Sequence, residues 1–377
     1  MKIKIANIVF NSFTNDSRVI KESTSFVNNN YYVEVIAHLD KGLERLQVQN
    51  NFLVKRFSYL DRTVTKTKFA KFKAYLVYVK EASSYCKDFN ILHCNDLNAL
   101  PIAYIIKFFY NKEVKIVYDA HEYETEVNGL SGIQKVIVKK VEKFFIKYVD
   151  AVICVSNSIA SEYVKLYNID KPYVVLNTPL LKRIEKKDIF REVFDIKKEQ
   201  TIFLYQGALS KGRGIEVVLE TFKTMKDDSS VIVFMGYGIM DELIKSMSIK
   251  YSNIYFHEAV NPQILLEYTS SADFGISTIE DSCLSYRYCL PNKMFEYTMA
   301  NVPVIVSNLP EMKKVVEDNS IGVVVQKNSL KGLNAAIQKA KELNKTELQK
   351  NLKKVQEIYN WEEQEKVLLN IYEHLDI

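Results

Sequence analysis

Two stretches of this chain gather glycine, cations and a carboxylate in an order that suits a phosphorylated ligand. The first is Gln206-Gly-Ala-Leu-Ser-Lys-Gly-Arg-Gly214, directly after the apolar run Thr201-Ile-Phe-Leu-Tyr205. A glycine-bearing turn from a strand into a helix offers backbone N–H groups and the positive end of a helix dipole, which is how a pyrophosphate is held. Gly207 opens the turn, and Lys211 and Arg213 add two cations, the guanidinium being able to grip phosphate through two parallel bonds. Basic turns also occur with no ligand. The second stretch is Leu290-Pro-Asn-Lys-Met-Phe-Glu-Tyr297, between the apolar strand Phe274–Ser277 and the strand opening at Pro303-Val-Ile-Val306. Pro291 predicts a helix start, because its missing N–H would have had no partner there. That helix runs through Ala300 and carries Glu296 inside it. A loop leaving the carboxyl end of a strand is where open α/β sheets bind ligands, although an ordinary strand–helix unit also fits the segment. Val231-Ile-Val-Phe-Met235 feeds Gly236-Tyr-Gly238, a second glycine nest able to approach the same ligand.

Two histidines stand near strand ends. His93 lies inside the predicted strand Phe89–Cys94 and reads as a satisfied buried histidine, whereas His121 falls just past the strand Val114–Tyr118, in Asp119-Ala-His-Glu122. Near the amino end, residues 3–10 and Val33–Ala37 are predicted strands. Between them Asp16 to Asn30 forms a helix capped by Asn15 or Asp16. Asp227-Asp228 reads as a surface turn, and no acidic pair sits at a strand end to bind a metal. The five cysteines form no CxxC pair, which points to a reduced, cytoplasmic protein without a zinc site. No GxGxxG follows the first strand, which argues against a dinucleotide dehydrogenase.

These residues carry a resemblance. Pro-Asn-Lys-Met-Phe-Glu-Tyr-Thr-Met-Ala-Asn-Val-Pro-Val-Ile, from Pro291, resembles the signature helix of the family-4 retaining glycosyltransferases (glycosyltransferases group 1) of GT-B fold. The resemblance implies that Glu296 holds the ribose of a nucleotide sugar, with Asn292 and Lys293 near the donor. Gly207, Lys211, Arg213, Gly236 and Gly238 then face its diphosphate, and the segment from His257 to Val260 lines the base. Tyr118-Asp-Ala-His-Glu122 is similar to a motif whose histidine reaches acceptor and transferred sugar, which makes His121 a catalytic-centre residue. Asn15-Asp-Ser-Arg-Val-Ile-Lys-Glu22 is similar to a first loop and helix that border acceptor and donor. Asp16, Arg18 and Lys21 are therefore expected on the acceptor side, while capping and surface ion pairing explain them almost as well. Two departures stand out. The family's Arg after the first glycine is Ala208 here, with Lys211 as its expected replacement. Tyr288 occupies the place of the first signature Glu, so Ser277-Thr-Ile-Glu280 is matched to the family's Ser-x-x-Glu and Glu280 becomes the second catalytic-centre candidate.

The rest of the chain must position these groups. At 377 residues, 47% hydrophobic and 26% charged, it is long enough for two cores, and alternating strand and helix signals predict an α/β protein. The resemblance implies GT-B, two facing Rossmann-like domains with a C-terminal helix crossing back to the first. The expected domains are residues 1–178 (with the crossing helix, about 361–377), a linker over 179–200 with Asn177 at the family's hinge position, and residues 201–360. Residues 1–175 carry 25 Lys and Arg against 18 Asp and Glu, and the remainder 26 against 28, so the first half is the one suited to an anionic partner. Two predicted helices concentrate that charge. Residues 64–87 place Lys66, Lys68, Lys71, Lys73 and Lys80 among Phe69, Phe72, Tyr75, Leu76 and Val79. Residues 133–149 place Lys135, Lys139, Lys143 and Lys147 beside Ile137, Val141, Phe144, Phe145 and Tyr148. Such helices lie on anionic lipid or simply turn their stripe to the core.

The expectation is a metal-independent, hexosyltransferase-type retaining glycosyltransferase that moves a sugar from a nucleotide-diphosphate sugar to a glycan or lipid-linked acceptor in surface polysaccharide biosynthesis. It needs no cofactor beyond that co-substrate. It is cytoplasmic, with peripheral contact at the inner face of the plasma membrane, and no nucleic-acid motif is present. The alternative is a non-catalytic GT-B scaffold that binds nucleotide sugar or a partner protein.

Overall fold

The structure, a computed structural model, describes residues 2–58 and 67–375, and of Lys68 the backbone alone. Lys66 and the first residues of the predicted helix 64–87 lie outside the described residues. The chain divides into two units, Met1–Val175 with Glu365–Ile377 and Leu176–Gln364. Each is a sheet flanked by helices, so the α/β expectation holds in both.

In the first unit eight strands are β1 (Lys4–Ile8), β2 (Tyr32–Leu39), β3 (Leu46–Gln49), β4 (Phe52–Ser58), β5 (Ile91–Asn95), β6 (Lys115–Ala120), β7 (Ala151–Cys154) and β8 (Tyr173–Val174). They order as β3-β4-β2-β1-β5-β6-β7-β8. All pairs are parallel except β3 with β4. Helices α1 (Ser17–Asn28), α2 (Lys68–Cys86), α3 (Leu100–Phe109), α4 (Gly132–Phe145) and α5 (Asn157–Tyr167) connect them. β1, β2 and β5 are buried almost throughout, as parallel strands covered on both faces must be. Asp16 caps α1 by accepting from the Val19 N–H, and Ser156 caps α5 by accepting from Ile159. The β3–β4 hairpin was not foreseen. Its turn is Asn50-Asn51, both with positive φ (46° and 66°), the conformation a two-residue hairpin turn requires and asparagine tolerates.

The second unit is wholly parallel, ordered β11-β10-β9-β12-β13-β14. Its strands are β9 (Thr201–Ala208), β10 (Ser230–Tyr237), β11 (Ile254–Glu258), β12 (Phe274–Ser277), β13 (Val304–Ser307) and β14 (Gly322–Val325). Its helices are α6 (Ile189–Phe194), α7 (Ile215–Thr224), α8 (Asp241–Lys250), α9 (Leu265–Ser270), α10 (Leu284–Arg287), α11 (Asn292–Met299), α12 (Pro310–Asn319), α13 (Leu330–Lys341), α14 (Lys345–Ile358) and α15 (Trp361–Glu373). The stretch 179–200, read from its charge as a linker, contains α6. Phe190 and Ile196 are buried there in this unit's core, and this apolar pair among the charges ties the stretch to the second unit. Helix α15 begins in the second unit, where the Trp361 N–H donates to Pro179 O. From Glu365 onward it belongs to the first unit, with Leu368, Ile371, Tyr372 and Leu375 buried.

Candidate functional site

In the second unit, β9 and β10 run side by side and end together, with Gly207 in register with Gly236. A Cβ on Gly236 would lie 1.9 Å from Gly207 O, so only glycine permits this approach. The turn after β9 is also pressed onto the segment after β12. Gly214 has φ 75°, a Cβ there would lie 1.9 Å from Thr278 O, and the Glu280 N–H donates to Gly212 O at 3.1 Å. The turn is thus closely packed and delivers the amino end of α7 beside the ends of β9 and β12.

Among the described residues, the two buried or half-buried cations around this turn, Lys293 and Arg213, make no ion pair. Lys293, in the first turn of α11, is only 8% exposed. Its Nζ rests 3.7 Å from the centroid of the Tyr205 ring. Its Cε passes 3.9 Å from where a Cβ on Gly207 would stand. Among the described residues no hydrogen bond or ion pair reaches Nζ. Burial and then the neighbouring Arg213 charge lower the Lys293 pKa to about 7, against the opposing pull of Glu296 and the Cys289 thiol. Arg213 is half-buried with its guanidinium carbon 5.0 Å from the Tyr286 ring centroid, and among the described residues its Nε has no hydrogen-bond partner. Lys211 is exposed, and Asn292 is exposed at the start of α11. The side chain that passes the turn's first glycine is therefore Lys293, not the Lys211 expected to replace the missing arginine.

Glu296 is half-buried one turn further along α11, and its Oε2 accepts from Gln206 Nε2 at 2.6 Å. The neighbouring Tyr297 is fully buried, its ring over Gly275 and its hydroxyl accepting from the Gln206 N–H at 2.9 Å. That hydroxyl lies 3.0 Å from Leu204 O and 3.2 Å from Ile276 O, which fixes α11 over the ends of β9 and β12. Gly207, Arg213, Gly236, Lys293 and Glu296 are thus gathered at one place. Gly238 adjoins the same turn, since a Cβ there would lie 2.2 Å from Leu209 O. Glu280 meets it through its backbone. His257 sits instead at the end of β11 among Phe190, Phe194 and Tyr268. Gln206, Tyr297 and Tyr205 escaped the sequence reading. The signal available was a polar residue, Gln206, ending an otherwise apolar strand.

In the first unit the carboxyl ends of β5 and β6 carry a buried polar cluster. Arg18 is 2% exposed and turned inward rather than toward an acceptor, which corrects the expectation for it. Its Nε and Nη2 donate to Asp119 Oδ2 at 3.0 and 2.7 Å, Nη1 donates to Val175 O at 2.9 Å, and Glu22 Oε1 is 2.9 Å from Nε. His93 is buried as expected but only half satisfied: Nδ1 bonds the Tyr372 hydroxyl, while Nε2 lies 3.4 Å from Glu22 and 3.5 Å from Asp119 without a hydrogen bond. His121 Nε2 is 3.6 Å from Asp119 Oδ2 and Nδ1 is 3.9 Å from Asp96 Oδ1. Burial opposes its charge, but Asp96 and Asp119 outweigh that and raise its pKa to about 9. Asp119 is held well below the usual carboxylate range, burial notwithstanding, by Arg18 and then His121. Asp96 has φ 61°, a conformation costly for a side-chain-bearing residue, and burial together with Asp96 pushes the Glu124 carboxyl up. Asp16 is engaged as the α1 cap and accepts from Asn11, and Lys21 is half-buried on α1. Among the described residues, Glu22, His93 and Asp119 are spaced to hold a metal ion, yet Arg18 already meets both carboxylates.

The lysine-rich helices do not turn their whole apolar stripe inward. On α2, Tyr78, Val79, Ala82 and Cys86 are buried, but Phe69 is 78% exposed and Phe72, Leu76 and Val77 face solvent. On α4, Ile133 is 79% exposed, and Val136, Ile137, Val141 and Phe144 are also outside, beside exposed Lys140, Lys143 and Lys147. Lys135 and Lys139 instead bind Glu126 at 2.6 Å each. No described helix is long and apolar enough to cross a membrane.

Comparison with known proteins gives matches over both units. Residues 186–357 match the family model of glycosyl transferases group 1, and residues 18–179 match that of Glycosyltransferase Family 4. The chain is 23% identical over 199 residues to the O-antigen chain mannosyltransferase RfbU of Salmonella typhimurium, an alignment spanning 51% of this chain and 52% of that protein, about half of each. Among solved structures, the sucrose-phosphate synthase of Thermosynechococcus elongatus superposes with a TM-score of 0.81 at 16% identity, covering 99% of both chains. Anabaena HepE in complex with UDP and glucose superposes with a TM-score of 0.76 at 13% identity, again over 99% of each.

Proposed function

The chain belongs to the group 1 glycosyltransferases of GT-B type, and from that premise we propose that its second unit binds a nucleotide-diphosphate sugar whose sugar passes to a glycan or lipid-linked acceptor. The observation that carries this reading is the pair of cations, Lys293 and Arg213, which among the described residues make no ion pair and stand at a closely packed glycine turn. Burial makes the Lys293 ammonium costly, as its lowered pKa shows, and a diphosphate would favour the charged form by supplying a countercharge. HepE's UDP complex supports the same ligand class.

Each residue then has a task. Backbone N–H groups at Gly207 and at the start of α7, with Lys293 and Arg213, meet the negative charge that grows on the departing diphosphate. That charge is met by protein cations, and the reaction proceeds without a metal. Glu296 receives the ribose hydroxyls, and Glu280 with Asn292 faces the sugar. His121 stays an imidazolium at neutral pH and donates a hydrogen bond, so it does not take the acceptor proton. In a retaining transfer the leaving phosphate oxygen takes that proton. Surface polysaccharide assembly is the setting, a reading supported by the match to RfbU, an O-antigen chain mannosyltransferase.

The test is a thermal-shift screen of UDP-, GDP-, ADP- and dTDP-sugars followed by turnover assays with and without EDTA. A bound donor raises stability by mass action. Turnover that persists in EDTA and falls strongly in Glu296→Ala and Arg213→Ala is expected, and wild-type rates in both variants would refute the donor site. Binding without turnover on any acceptor would favour the scaffold reading. The exposed apolar faces of α2 and α4, flanked by lysines, support peripheral contact with anionic lipid from the cytoplasmic side. Co-sedimentation with phosphatidylglycerol vesicles should weaken as salt rises, and no binding at low salt would count against it.

A further inference from the structure

Gln206 joins the two halves of the donor site. It is 1% exposed and precedes Gly207 directly, so its position is tied to the diphosphate turn by one peptide bond. Its side chain reaches the other half. Nε2 donates to Glu296 Oε2 at 2.6 Å, and Oε1 accepts from Thr269 Oγ1 at 2.8 Å. A carboxylate only accepts, so the amide nitrogen must face Glu296 and the amide oxygen must face Thr269. Its backbone N–H holds the Tyr297 hydroxyl, which fixes the next residue of α11. Thr269 is fully buried on α9. Three elements, β9, α9 and α11, therefore converge on this one amide.

We infer that Gln206 is a positioning residue that sets the direction of the Glu296 carboxylate and its spacing from the diphosphate turn, and so lets the site distinguish a ribonucleoside diphosphate from one lacking ribose hydroxyls. The inference rests on the proposed donor site. A carboxylate free to rotate would meet a diol in only a fraction of its orientations, whereas one locked by a short bond is aligned before the ligand arrives. Gln206→Met keeps the side-chain length and removes both amide bonds, and Thr269→Val removes the support behind the amide.

The experiment measures calorimetric affinities of UDP, GDP and ADP, their 2′,3′-dideoxy counterparts, and inorganic pyrophosphate. Wild type should favour at least one ribonucleotide over its dideoxy form by roughly tenfold or more, the usual range for a hydrogen bond to a charged group. Gln206→Met should bring that ratio close to one while leaving pyrophosphate affinity unchanged, and Thr269→Val should lower it part of the way. A wild-type ratio in both variants would overturn the inference. So would an equal loss of pyrophosphate binding, which would make Gln206 a merely structural member of the turn. Wild type that binds none of these ligands would instead fail the proposed donor site, and wild type that binds with no ribose preference would refute Glu296 and Gln206 together.

Discussion

Both units bury ionisable side chains near the carboxyl ends of their strands, but they treat the charge in opposite ways. In the first unit Arg18 sits between Asp119 and Glu22, His93 lies against both carboxylates, and Glu142 accepts from Tyr118 and Tyr163 at 2.6 Å each and from Tyr167. In the second unit Lys293 and Arg213 have aromatic faces and, among the described residues, no carboxylate within ion-pair distance. Charge paired within the resting protein holds strands and helices in place. Charge left unpaired at a glycine turn is, on the proposed reading, where a ligand is received, and burial and then the Arg213 charge lower the Lys293 pKa there.

The contrast can be broken most forcefully in the first unit. Arg18→Met leaves Asp119 and Glu22 buried without their cation, and should cost about 3–5 kcal/mol of stability in chemical denaturation. A near-neutral effect would mean that the cluster is solvated and not architectural. Lys293→Met makes the opposite case. It removes an uncompensated ammonium, so stability should hold or rise, while UDP, GDP or ADP affinity should fall roughly 10- to 100-fold. Lys211→Met, at an exposed position, should weaken binding only a few-fold, about 1 kcal/mol or less. An equal loss in the two lysine variants would erase the distinction between them.

A finer test uses pH. Lys293 titrates near 7 when folded against an ordinary 10.5, so the unfolded chain binds the extra proton between those values and its contribution makes stability rise with pH across that window. His121 titrates near 9 against 6.5, so its contribution is complete below 6.5 and is lost as pH rises through 9. Lys293→Met should remove the rising component from a stability-versus-pH curve, and His121→Gln the falling one. Curves unchanged by both substitutions would contradict the assigned environments.

Much of this architecture is written locally. Apolar runs mark the parallel strands because helices cover both faces, and Asp16 and Ser156 announce helices by capping them. The glycines of 207–214 and the Pro291 helix start likewise point to the turn and to Glu296. What escaped depends on partners distant in sequence. Nothing near Arg18 reveals that its guanidinium meets Asp119, 101 residues away, and so a buried ion pair read as an acceptor contact. Gln206 finds Glu296 90 residues on, and the helix within 179–200 owes its place to Phe190 and Ile196, a small apolar pair among charges. The Asn50-Asn51 hairpin was legible in principle, since asparagine is the residue that best tolerates positive φ after glycine.

The most direct trial of the central claim is a calorimetric titration of wild type and Lys293→Met with UDP, GDP and ADP at pH 7 and at pH 9. If an open ammonium receives the diphosphate, wild type should bind at least one of them and weaken by roughly tenfold or more at the higher pH, as Lys293 loses its proton. Lys293→Met should bind weakly at both values with little change between them. Equal affinity of the two proteins at each pH would show that the diphosphate does not rest on Lys293.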